Sequence, residues 1–134
     1  MNKANRREQF LKGKQILVVD DDPLQVMVVA QMITQTGCRV IKSNDPGDVL
    51  DILKRNQIDL VILDVMMPSP DGWEVFNQIR KMPRHREMPV IFLTALVGSG
   101  EEGHFNQKKD RCRVLAKPAT HDSLLSAIKE LLMA

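Results

Sequence analysis

Apolar and polar positions alternate along the chain in a regular rhythm of short apolar runs and longer segments of helical periodicity. QILVVD (15–20) is a brief β-branched run that predicts a strand. DDPLQVMVVAQMITQTG follows with a capping Asp, a Pro in the first turn and a closing Gly37, the punctuation of a helix. RVIKS (39–43) predicts a second strand, and DPGDVLDILKRNQ (45–57) a second helix with Val49, Leu50 and Leu53 at helical spacing. IDLVILD (58–64) predicts a third strand and GWEVFNQIRKM (72–82) a third helix with Val75, Phe76 and Ile79 on one face. PVIFLT (89–94) is a fourth strand. ALVGSGEEGHFNQKKD (95–110) carries three glycines and little apolar stripe, so a short or frayed helix is expected there. RVLAK (113–117) predicts a fifth strand, and THDSLLSAIKELL (120–132) an amphipathic helix with Leu124, Leu125, Ile128, Leu131 and Leu132 on one side.

Five strand–helix units imply an α/β domain with a parallel sheet and helices on both faces, because parallel strands need right-handed crossover connections. Strands one, three and four are apolar almost throughout, as central strands must be, whereas Lys42 and Ser43 make the second an edge. This pattern favours a single flavodoxin-like (βα)5 domain of strand order 2-1-3-4-5, whose ligand crevice lies at the carboxyl ends of strands one and three. Cys38 and Cys112 then fall near opposite edges of the sheet, and no disulfide is expected between them.

Composition adjusts this picture little. The 134 residues suffice for one domain, and 43% apolar with 27% charged residues is an ordinary globular balance. Nineteen basic against 17 acidic residues give a net charge of +2, too balanced for a dedicated nucleic-acid binder, so no direct nucleic-acid contact is expected. No apolar run approaches a membrane span, the basic start MNKANRREQFLKGK lacks a signal-peptide core, and two cysteines without a C-x-x-C pair suit a reducing, cytoplasmic setting.

The chemistry gathers at strand ends. Asp20 ends strand one with Asp21 and Asp22 next, Asp64 ends strand three, Thr94 ends strand four and Lys117 ends strand five. Two carboxylates ~4 Å apart repel by roughly 4 kcal/mol at an effective dielectric of ~20. A hard divalent cation with oxygen ligands relieves that repulsion, and Mg²⁺ suits a few carboxylates combined with waters and phosphate oxygens. Asp22 reads as the helix N-cap, followed by Pro23. Taken alone, any one of these residues has a bland alternative: a strand-ending Asp is commonly a turn former, and Lys117 a lysine before a turn. His85, His104 and His121 lie in loop or capping segments without ligand spacing and are expected to be solvated. Trp73 and Phe76 are expected to pack the third helix, and the run Lys108, Lys109, Arg111, Arg113 to form a solvated face with some potential as a partner contact.

VVDDDP, LDVMMPSPDG, FLTA and AKPA, in this order and each at a strand's carboxyl end, resemble the receiver domain of two-component response regulators of the CheY-like kind, from about Lys14 to Leu132. The resemblance implies that Asp64 is the phosphoacceptor for a phosphoryl group delivered by a sensor histidine kinase or a histidine phosphotransfer protein. It implies that Asp20, Asp21, Asp64 and the backbone carbonyl of Met66 hold Mg²⁺, with Asp20 acting largely through water. Thr94 and Lys117 would contact phosphoryl oxygens, with a cis peptide between Lys117 and Pro118. Such a domain is not an enzyme beyond Mg-dependent self-phosphorylation and slow autodephosphorylation. It would act on a downstream protein target or a fused output domain, and it occupies 15–134 after an extension (1–14) that either forms a short helix or stays disordered.

Two departures from the family's usual pattern carry expectations. Val114 stands where receivers commonly have an aromatic three positions before the lysine, so coupling is expected to run through Thr94 and the Gly-rich 97–103 segment. Met66 and Leu96 stand where polar side chains would guide a hydrolytic water, so a long-lived phospho-form is expected. A dinucleotide enzyme would need a Gly-rich turn where this chain has DDDP, and a haloacid-dehalogenase phosphatase a second acid where it has Met66. The remaining alternative is a pseudo-receiver that acts only as a protein-interaction domain.

Overall fold

The computed structural model describes residues 11–95 and 111–133. β1 (Gln15–Val19), β2 (Arg39–Ser43), β3 (Leu60–Asp64), β4 (Val90–Thr94) and β5 (Cys112–Ala116) form one parallel sheet of order β2-β1-β3-β4-β5, as the hydrophobic pattern predicts. Four helices lie among the described residues: α1 (Pro23–Thr34), α2 (Val49–Arg55), α3 (Gly72–Arg80) and α4 (His121–Met133). Alternation along each strand sends side chains to two separate cores. Leu17, Val19, Val61, Leu63, Val90 and Phe92 pack with α2 and α3 on one face. Ile16, Val18, Leu60, Ile62, Ile91 and Leu93 pack with α1 and α4 on the other. Leu11, fully buried, joins the second core and its carbonyl accepts from Cys38 Sγ, so the end of the N-terminal extension is part of the packed fold.

Local chemistry sets the boundaries. Asp22 Oδ1 accepts from Leu24 N at 3.0 Å with Pro23 at the first helical position, so α1 starts where the sequence predicts. It ends at Thr34, and Gly37 turns the chain with φ +93°, a region that glycine enters without strain. The second helical segment differs from a single helix over 45–57. Asp45 Oδ1 caps Gly47 N at 2.9 Å, which closes a 3-10 turn (Pro46–Asp48) before α2 begins. β3 starts two residues later than predicted because the Asp59 carboxylate takes the amide of Gln15 at 2.8 Å instead of facing the core. Thr120 and Ser123 cap α4 reciprocally, each hydroxyl accepting the other's amide.

Trp73 and Phe76 pack α3 onto the sheet as expected, with ring centroids 4.2 and 5.3 Å from Phe92. Cys38 and Cys112 are both buried and not joined in a disulfide, before β2 and in β5 at opposite edges. Arg111 and Arg113 depart from the solvated face predicted for them. Arg111 Nη2 donates to Leu131 O at 2.9 Å and Arg113 pairs with Glu130, because β5 lies against the C-terminal turns of α4. Residues 1–10, the helix expected within 95–110, the 97–103 segment, Leu96, His104, Lys108 and Lys109 lie outside the described residues. Among the described residues no helix is long and apolar enough to cross a membrane.

Candidate functional site

Strand register brings the site residues level. Val19 pairs with Leu63, Asp64 with Leu93 and Thr94 with Ala116, so the residues ending β1, β3, β4 and β5 share one rim of the sheet. The ladder continues past the strand ends through Asp20 N to Ser43 O, Val65 N to Leu93 O and Lys117 N to Thr94 O. Those bonds pin the backbone under each functional side chain. A cleft of about 450 Å³ opens above them, lined by Asp20, Asp21, Asp22, Gln25, Asp64, Met66, Lys117 and Pro118.

Asp20, Asp64 and Thr94 are buried polar residues, whereas Asp21 is exposed. Lys117 Nζ lies 3.0 Å from Asp20 Oδ2 and 3.0 Å from Asp64 Oδ1, bridging the two acids, and the Lys117–Pro118 peptide is cis. Asp20 Oδ1 accepts from Asp22 N at 3.0 Å, so both its oxygens are engaged. Asp64 Oδ1 also accepts from Met66 N at 3.3 Å, while its Oδ2 accepts no hydrogen bond among the described residues. One oxygen of Asp64 is therefore held by two donors and the other by none among the described residues.

Electrostatics sets the two partners of this bridge apart. Burial pushes the Asp64 carboxyl above its ordinary range, the hydrogen bond from Lys117 pulls it back in part, and the negative charge of Asp20 adds to the rise. Burial pulls the Lys117 ammonium down, but its hydrogen bonds to Asp20 and Asp64 and their charges outweigh that, leaving its pKa raised. One ammonium thus serves two buried carboxylates, with a third beside them. Asp20, Asp21 and Asp64 each offer an oxygen within 4.8 Å of the others, the one such grouping of acid, His or Cys ligands among the described residues. A purely carboxylate donor set of this span suits a hard cation such as Mg²⁺ and gives no preference to a thiophilic metal.

The sequence reading thus placed Asp20, Asp21, Asp64, Met66 and Lys117 around one cleft. Thr94 ends the neighbouring strand, paired with Ala116 immediately before Lys117. Gln25 was missed. It lies in the first turn of α1, three residues after the N-cap Asp22, and that offset was the available signal. His85 and His121 lie outside the cleft lining, with His121 Nδ1 3.8 Å from Asp122. Gly72 was read only as a helix start, yet a Cβ there would lie 2.4 Å from Asp64 O and 2.8 Å from Val65 Cα, so α3 rests directly on the backbone of the central acid.

The response regulator receiver domain matches residues 16–129. Sensor histidine kinase RcsC of Salmonella typhi is 36% identical over 110 residues, covering 81% of this chain and 11% of that protein. Transcriptional regulatory protein GlrR of Escherichia coli (strain K12) is 33% identical over 127 residues, covering 90% of this chain and 27% of that protein. The chain therefore spans about a quarter or less of the length of these two relatives. The N-terminal domain of a response regulator receiver protein from Methanoculleus marisnigri JR1 superposes with a TM-score of 0.69 at 37% identity, covering 90% of this chain and 97% of that one. Chemotaxis protein CheY4 of Vibrio cholerae shares the fold with a TM-score of 0.79 at 23% identity, covering 90% and 99% of the two chains. With the profile spanning most of the sequence and the acidic cleft at the expected strand ends, this chain belongs to the response regulator receiver family.

Proposed function

We propose that residues 15–134 form a receiver domain that accepts a phosphoryl group on Asp64 from a phosphohistidine of a sensor histidine kinase or a histidine phosphotransfer protein. The observation that carries this reading is the arrangement around Asp64: Oδ1 is held by Lys117 and Met66 N, Oδ2 accepts no hydrogen bond among the described residues, and the residue lines the cleft. Oδ2 attacks phosphorus, a P–O bond forms, and the P–N bond to the donor imidazole breaks. The imidazole nitrogen keeps the electron pair and takes up a proton. Phosphoryl transfer asks a protein mainly for alignment and charge neutralisation, which a pinned carboxylate and a neighbouring ammonium supply. Thr94 would donate its hydroxyl to a transferred oxygen and Lys117 would pair with another. Asp20, Asp21, Asp64 and the Met66 carbonyl would hold Mg²⁺, which supplies further positive charge when bound.

The donor needs a surface beside the cleft. Leu24, Met27 and Val28, 63%, 61% and 44% exposed, form an i, i+3, i+4 apolar stripe on α1, and Met66 is 60% exposed at the cleft itself. This stripe begins two residues beyond the cleft-lining Asp22 and suits an apolar helical face of the donor. A sensor kinase and a transcriptional regulator among the relatives support such a donor, and a downstream protein or fused output domain as target.

The test is incubation with acetyl phosphate and Mg²⁺, followed by borohydride reduction and peptide mapping. Conversion of residue 64, absent in Asp64→Asn, supports the reading. A chain that stays unmodified under these conditions is instead a pseudo-receiver acting by contact alone.

A further inference from the structure

A second concavity lies at the other end of the sheet from the acidic cleft. There α2 ends at Arg55 and its chain turns into β3, while the connection from α3 approaches β4. Between these connections is a cavity of about 710 Å³, within the roughly 300–1,000 Å³ range of small-molecule sites. Its apolar wall is Leu53, Ile58, Met82 and Met88, side chains of the core that faces α2 and α3. Its rim is Lys54, Arg55, Arg84 and His85, with the amides of Asn56 and Gln57 between them.

No carboxylate lines this cavity. Asp51 is engaged with Arg55 at 3.5 Å, and Asp59 is turned away to the amide of Gln15. Lys54 and Arg84 form no ion pair among the described residues. Three permanent cations at the mouth of an apolar recess are more than capping the short α2 requires, since Arg84 belongs to a different segment.

We infer that this cavity binds a small amphipathic organic anion, its apolar body against Leu53, Ile58, Met82 and Met88 and its carboxylate, phosphate or sulfonate head on Lys54 and Arg84. Charge complementarity selects the anion and the recess selects the apolar body. The site would give the domain a second input, at the opposite ends of the strands from Asp64.

The test titrates the full chain with 8-anilinonaphthalene-1-sulfonate, then competes with decanoate and with decan-1-ol. Saturable binding displaced by decanoate but poorly by decanol is expected, weakened about tenfold or more in Lys54→Glu/Arg84→Glu and unchanged in Asp64→Asn. Should the charge reversals fail to fold, methyl and amide chemical shifts of the unaltered chain with decanoate give the answer. Shifts centred on Leu53, Met82 and Met88 support the site. Absent saturation, equal displacement by decanol, binding that survives charge reversal in a folded variant, or shifts centred on the α1 stripe or the acidic cleft would each overturn it.

Discussion

Replacing Gly72 by Ala tests whether α3 sets the position of Asp64. The new methyl would lie 2.4 Å from Asp64 O, 2.8 Å from Val65 Cα and 3.1 Å from Asp64 C, all backbone atoms that no rotamer change can move. Carbon contacts relax at about 3.5–4.0 Å, so α3 and the Asp64–Val65 backbone must separate by roughly 1 Å. Overpacking of this kind costs about 1–3 kcal/mol. Strain on the Gly72 N to Val65 O bond, 3.1 Å long, adds up to about 1 kcal/mol, against which alanine's better helix propensity returns less than about 1 kcal/mol at a first-turn position. A net loss of about 1–3 kcal/mol lowers the melting temperature by roughly 3–15 °C in a chain of this size. A shift of about 1 Å in an attacking oxygen also slows transfer by up to about 10²-fold. The assays are thermal unfolding with chelator and the rate of acetyl phosphate labelling, with Gly47→Ala as control, since a Cβ there meets only the Asp45 side chain, at 3.2 Å. If Gly72→Ala melts and labels like the control, the close approach does not position Asp64.

Three further outcomes are expected. Burial raises the native Asp64 pKa above its unfolded value, so protonation favours the fold; that contribution is complete below the ordinary Asp range and is lost as pH rises through the native value. Asp64→Asn, which keeps Lys117 paired with Asp20, should therefore melt higher than the unaltered chain at neutral pH in chelator and show a flatter pH dependence there; a lower melting temperature would contradict the electrostatic reading. Lys117→Ala leaves two buried carboxylates without their cation and should cost about 3 kcal/mol in chelator, with Mg²⁺ restoring more stability than it adds to the unaltered chain, as read by melting with and without the metal. Met66→Asn puts an amide at the cleft where a thioether now stands and should hasten loss of phosphate from trapped phospho-Asp64, followed by intact mass.

Much of this architecture is legible in the sequence because its strands are covered on both faces and read as uninterrupted apolar runs, such as Leu60 to Leu63 and Val90 to Leu93. The acids were legible for a related reason: a charge ending such a run has to lie at the sheet's rim. Features built from distant segments were not. The ties of Arg111 and Arg113 to Leu131 and Glu130 depend on how α4 packs against β5, which periodicity does not encode. The basic cavity likewise depends on two connections meeting at one end of the sheet, whereas the 3-10 turn before α2 rests on a local cap by Asp45 that the apolar periodicity does not register. Gly72 looks like any helix-initiating glycine until the Asp64 backbone is seen against it.

The most direct test of phosphoryl acceptance at Asp64 is its Mg²⁺ dependence, measured by intact mass after incubation with acetyl phosphate across a Mg²⁺ titration. One phosphoryl group per chain is expected, appearing in step with metal saturation, abolished by chelator and by Asp64→Asn, and shifted to higher Mg²⁺ concentration in Asp21→Asn, whose metal binding is weaker. Labelling that is indifferent to Mg²⁺, or that persists in Asp64→Asn, would contradict this.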